Sequence, residues 1–120
     1  MRLLEQHKAT GDACNSGIKI TVLDEPGAGG ACHDYRFDLP DGDNWILCFQ
    51  NGPVSEAGAN GLTHEALLAV LIDRLEGFQA GEYACEENSI ALNNLKFALD
   101  ALQERTRKRM ERGVEGTNEV

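Results

Sequence analysis

No stretch of the 120 residues approaches the roughly 20 consecutive apolar side chains of a bilayer-spanning helix, and the opening MRLLEQHKATGDACNSG has no apolar run of the kind a secretory signal carries. The sequence therefore points to the cytosol. Basic residues are scarce too: 11 Lys and Arg stand against 20 Asp and Glu, a net charge of −9. Phosphate backbones and anionic membranes attract proteins through extended basic surface, so DNA, RNA and membranes are not expected partners, and any anionic partner should be small. The four cysteines, Cys14, Cys32, Cys48 and Cys85, contain no Cys-x-x-Cys pair and read as small semi-apolar fillers. Cys32-His33 has no correctly spaced second pair, so no metal and no cofactor is expected. The glycine-rich EPGAGGA (25–31) is followed by no Gly-Lys-Ser/Thr and reads as an ordinary turn. HDYR and THEA supply single histidines without a neighbouring nucleophile, which argues against an enzyme and leaves no catalytic residue to name.

What is present can fold. Hydrophobic residues make up 42% and charged residues 26%, enough for a packed core in a chain of single-domain size. After a polar leader (1–16), Ile18, Ile20 and Val22 alternate with Lys19 and Thr21, the period of a half-buried strand. Tyr35, Phe37 and Leu39 alternate next, Pro40-Asp41-Gly42-Asp43 turns the chain, and an apolar run follows from Trp45 to Phe49. The spacing predicts a three-stranded antiparallel meander over 17–58.

Beyond it, Thr63 is a candidate N-cap for a helix with apolar residues at 67, 68, 71, 72, 75 and 78, and a longer helical pattern runs from about Tyr83 to Gly113. The expected class is α+β: a small N-terminal meander, then an antiparallel helical hairpin (62–112) with one long helix, then a tail (113–120).

Along the long helix, Asn88, Leu92, Leu95, Leu99, Leu102, Thr106 and Arg109 follow alternating steps of four and three, a heptad seam with polar ends. A lone polar residue on a seam commonly sets register, which is the plain reading of Asn88. Five of the 11 basic residues fall between Arg105 and Arg112, four of them Arg. A helix C-terminus favours cations and Glu104 pairs with Lys108 at i, i+4. Lys would serve the dipole equally well, however, whereas the Arg fork holds phosphate oxygens in pairs. Arg105 and Arg109 lie one turn apart with the Thr106 hydroxyl between, and Arg107 and Arg112 point elsewhere. Phe78 near the bend offers a stacking surface and Asn88 an amide able to read an adenine edge. Asn88 and Arg105 are 17 positions apart, about 25 Å along one helix. One small ligand could touch both only if two long helices paired antiparallel around Phe97 or Ala98, the apolar middle of the seam supplying the contact, giving a homodimer with two composite pockets.

The segments NGLTHEALLAVLIDRLEGFQAGEYACEENSIALNNLKFALDALQERTRKRMERG, RGVEGT, FQNGP and DEPGAGG together resemble the phage-encoded Thoeris anti-defence sponge proteins of the first type, over about residues 17–120. The resemblance implies a small sheet followed by two long helices, and dimers that can associate further, with a hexamer left open. It implies sequestration, without degradation, of cyclic ADP-ribose isomers such as glycocyclic ADP-ribose in the cytoplasm of an infected bacterial host, blocking Thoeris immunity. Some members also bind CBASS cyclic di- or trinucleotides. Carried onto matching positions, Phe78 stacks on the purine, Asn88 meets the base edge, and Arg105 and Arg109 face ribose and phosphate, with Thr106 alongside. The alternative is a small adaptor that binds a host protein through the basic helix end.

Overall fold

The computed structural model describes residues 1–120, the side chain of Ala28 excepted. The chain divides into two compact units, Met1–Gly61 and Leu62–Val120.

The first unit is a four-stranded antiparallel sheet in the order β1-β2-β3-β4, with β1 Arg2–Leu4, β2 Lys19–Val22, β3 Asp34–Asp38 and β4 Asn44–Cys48. The fourth strand comes from residues 1–16, expected as a leader outside the fold: Arg2 pairs with Val22 and Leu4 with Ile20. A short helix, α1 (Ala13–Ser16), then leads into β2, capped by the Asp12 carboxylate, which accepts from the Asn15 amide at 3.0 Å. His7 Nε2 meets the Ile18 carbonyl oxygen at 2.7 Å, fastening this segment to the start of β2. Too short for periodicity to reveal, β1 depends on pairing with a stronger neighbour.

The β3-β4 hairpin follows the expected register, with Tyr35 opposite Leu47 and Phe37 opposite Trp45. Its turn closes through Leu39 N–H to the Asp43 carbonyl (2.8 Å), and Gly42 takes the positive φ of +96° that the turn requires. EPGAGGA is a turn as read: Gly27 N–H donates to the Ala31 carbonyl at 2.9 Å, and β3 is the next strand.

Burial along β2 departs from simple alternation. Val22 is fully buried as expected, but Thr21, placed by its polarity on the outer face, is buried as well, with Cys32 and His33. Asp24 organises this corner. Its carboxylate accepts from the His33 amide (2.9 and 3.1 Å) and the Asp34 amide (3.1 Å), and its carbonyl from the Cys32 thiol (3.3 Å). Burial works against the Asp24 charge, but the Asp34 and His33 amides outweigh it and hold the carboxyl below the usual carboxylate range.

FQNGP opens a zipped loop around the short helix α2 (Val54–Ala57). Asn60 accepts from the Asn51 amide (2.8 Å) and donates to the Asn51 carbonyl (2.7 Å), while Gln50 donates to the Gly52 and Gly58 carbonyls and accepts from the Asn60 amide.

The second unit is the expected helical hairpin: α3 His64–Gln79 packs against α4 Glu86–Glu111. Thr63 caps α3, its hydroxyl accepting from the Ala66 amide at 3.1 Å. The half-buried residues of α4 are Asn88, Ser89, Leu92, Leu95, Ala98, Leu99, Leu102, Thr106 and Arg109. The heptad seam is thus the stripe that packs within the hairpin. Ile90 and Phe97 lie off it and stay exposed, Phe97 to 75%. On α3 the inward residues are Leu67, Leu68, Ile72 and Leu75, whereas Leu71 and Phe78, expected on the same stripe, face outward.

Candidate functional site

The bend between the helices is fixed by a reciprocal clamp. The Gln79 side-chain amide donates to the Cys85 carbonyl and accepts from the Cys85 amide, both at 3.0 Å. Cys85 then caps α4, its Sγ accepting from the Asn88 amide at 3.4 Å. The Asn88 side chain donates Nδ2 to the Tyr83 carbonyl at 3.4 Å. The Tyr83 ring stands edge-on to Phe78, with centroids 6.4 Å apart and planes at 80°. Tyr83 therefore joins Phe78 and Asn88 into one cluster, and the Asn88 side-chain oxygen keeps its accepting capacity.

Phe78 also lines an open groove of about 530 Å³ on the outer face of α3, with Val70, Asp73, Arg74 and Gly77. The Arg74 guanidinium lies over the Phe78 ring, 5.0 Å from its centroid, within cation–π range. An aromatic face with a cation and a carboxylate about one turn before it is suited to a flat, polar-edged ligand.

The basic end of α4 is more occupied than its composition suggests. Arg107 bonds both Glu104 and Glu111, and the Arg107 bond holds the Glu104 carboxyl below its ordinary range. Arg109 is only 17% exposed in its side chain and holds the tail. Nε donates to the Glu115 carboxylate (3.0 Å), Nη1 to the Glu119 carbonyl (2.6 Å), and Nη2 to the Val114 and Thr117 carbonyls (3.0 and 3.2 Å). Arg112 donates to the Val120 carbonyl at 2.9 Å. Among the described residues of this cluster, Arg105 and Lys108 make no hydrogen bond or salt bridge, and Arg105 is exposed. Thr106 is half-buried beside it.

The structure thus sets Phe78 against the Tyr83 ring and Asn88 against the Tyr83 carbonyl, and places Arg105, Thr106 and Arg109 at the other end of α4. Asn88 and Arg105 stay on one continuous helix, which fixes them roughly 25 Å apart within a chain. Sequence reasoning missed Arg74 and Tyr83. Arg74 stands one turn before Phe78, a spacing that puts both on one face; for Tyr83, in the bend, no periodic signal exists.

Residues 48–107 match the family described as the Acb2/Tad1 hairpin domain. The chain is similar to a protein named Thoeris anti-defense 1 from Bacillus phage SBSphiJ7, with 52% identity over 71 residues. That alignment covers 59% of this chain and 50% of the phage protein, so the chain spans about half the length of the curated relative it matches.

Proposed function

The chain belongs to the Acb2/Tad1 hairpin-domain family, and from that premise we propose that it is a phage Thoeris anti-defence protein that sequesters a small cyclic ADP-ribose isomer, such as glycocyclic ADP-ribose, without degrading it. The observation that carries this reading is the cluster at the hairpin bend, where Tyr83 links the Phe78 ring to the Asn88 amide. Phe78 offers a stacking face for the purine and Asn88 a free acceptor for its edge. Arg105, exposed and unpaired, is the phosphate ligand, forming charge-assisted bonds in its planar fork. Arg109 reaches the ligand only by giving up the tail, and Thr106 lies between the two as a minor contributor.

Because the bend and the basic end lie at opposite ends of α4, one pocket takes them from two chains in an antiparallel homodimer. The dimer face in this proposal differs from the apolar middle of the heptad seam, which packs within the hairpin. Cyclic di- or trinucleotides, if bound, would need further sites. The adaptor alternative loses support because Arg107, Arg109 and Arg112 are already engaged within the chain.

Calorimetry with purified glycocyclic ADP-ribose tests the proposal. Sequestration at low signal concentration calls for nanomolar affinity, about −12 kcal/mol, and heat-denatured complex should return ligand of unaltered mass. Absence of binding heat defeats the reading, and altered ligand would mean an enzyme.

A further inference from the structure

Two glycines fold the tail beyond α4 onto Arg109. Gly113 takes a φ of +72° just past the helix; its N–H donates to the Met110 carbonyl and the Val114 N–H to the Arg109 carbonyl, both at 3.0 Å. This is a Schellman closure, which turns the chain back toward the helix. Gly116, with a φ of +82°, turns it again, and the Thr117 N–H closes on the Val114 carbonyl at 3.1 Å. The Thr117 hydroxyl ties this turn, donating to the Val114 carbonyl and accepting from the Glu119 amide at 3.2 Å. Oxygens of Val114, Glu115, Thr117 and Glu119 thereby converge on one guanidinium and occupy four of its five N–H donors.

Phosphate oxygens would present the same kind of acceptor to the same fork. The charged side chains of the tail, Glu115 and Glu119, are both acidic, so a seated tail also repels phosphate from this end of α4. We propose that the tail is an internal competitor, a latch that holds Arg109 in place of the pyrophosphate of the signal and must be unseated before Arg109 can join the pocket. This rests on the sequestration reading above and assigns that site its regulation. Exposed Arg105 meets the signal first, and Arg109 follows when the tail leaves. Only the open form offers both arginines, so the seated tail lowers the apparent affinity by the open fraction. By reciprocity, bound signal loosens the tail.

Two substitutions in the full chain loosen the latch without touching either arginine. Glu115→Gln removes the ion pair, and Thr117→Val removes the hydroxyl that ties the turn while leaving the net charge unchanged. In calorimetry with glycocyclic ADP-ribose, each should bind roughly two- to fivefold more tightly than the wild type. Hydrogen exchange at the Thr117 and Glu119 amides of the wild-type chain supplies the second readout. Saturating signal should accelerate it, whereas a tail that walls the pocket would be protected by the ligand. Unchanged or weaker affinity in both variants, or slowed or unchanged exchange in the complex, overturns the latch and leaves sequestration standing. Tighter binding by Glu115→Gln alone would mean that the lost negative charge, and not an opened tail, attracts the ligand, which also overturns it. If neither the wild type nor either variant binds the signal, sequestration fails and the latch falls with it.

Discussion

Arg109 shows how one side chain can stand out in a sequence while its partners stay hidden. Its position on the seam and its guanidinium were both legible, but the four oxygens it holds come from a tail with no periodicity, and only coordinates bring them to it. Charge-assisted bonds at a side chain only 17% exposed should make Arg109→Gln destabilise the helical unit by about 1–3 kcal/mol. Hydrogen exchange at the Thr117 and Glu119 amides should accelerate. Arg109→Lys should not restore protection, because an ammonium lacks the planar fork; slow exchange in either variant would show that the tail holds itself. Asp24 carries the corresponding prediction in the sheet. Its folded pKa is lowered, so its contribution is fully present above the ordinary carboxylate range and is lost as pH falls through the depressed value. Asp24→Asn should flatten the acid limb of the stability curve below that range, read by thermal melts across pH, and an unchanged limb would refute the assignment.

At the level of elements, the hairpins were legible wherever local chemistry repeats: Thr63 as a cap, Pro40 to Asp43 as a turn, and the long stripe of α4. Elements that depend on partners were not. β1 exists through its pairing with β2, and Phe78 faces outward although its spacing suits the inner stripe, because the stripe is already filled by Leu68, Ile72 and Leu75. Close backbone approach is equally invisible in a sequence. A Cβ on Gly61 would lie 2.4 Å from the Phe49 carbonyl carbon and 2.5 Å from its oxygen, contacts that cannot be relieved by rotating a side chain. Gly61→Ala should therefore lower stability by roughly 1–3 kcal/mol, despite the entropy that alanine removes from the unfolded chain. A chemical denaturation midpoint equal to that of the wild type would mean that the loop shifts freely.

For the whole molecule, charge and length set the terms: a chain of net charge −9 concentrates five cations in eight positions, of which Arg107 and Arg109 are ion-paired within the chain and Arg112 is hydrogen-bonded to a carbonyl. Arg105 and Lys108 remain, and Arg105 is separated from Asn88 by more than any compact messenger can bridge on one helix. In the proposed composite pocket the two residues come from different chains, and chain mixing can test that. Asn88→Ala and Arg105→Ala chains each lose both pockets as homodimers, since every pocket then lacks one partner. In a heterodimer, the Asn88→Ala chain brings an intact Arg105 to the other chain's intact Asn88, restoring one pocket, while the opposite pocket carries both defects. Arg105 is the better choice for this test than Arg109, whose loss would also release the tail. Verified heterodimers should bind one glycocyclic ADP-ribose with near-native affinity, at half the wild-type stoichiometry, and heterodimers that bind none would place each pocket within a single chain.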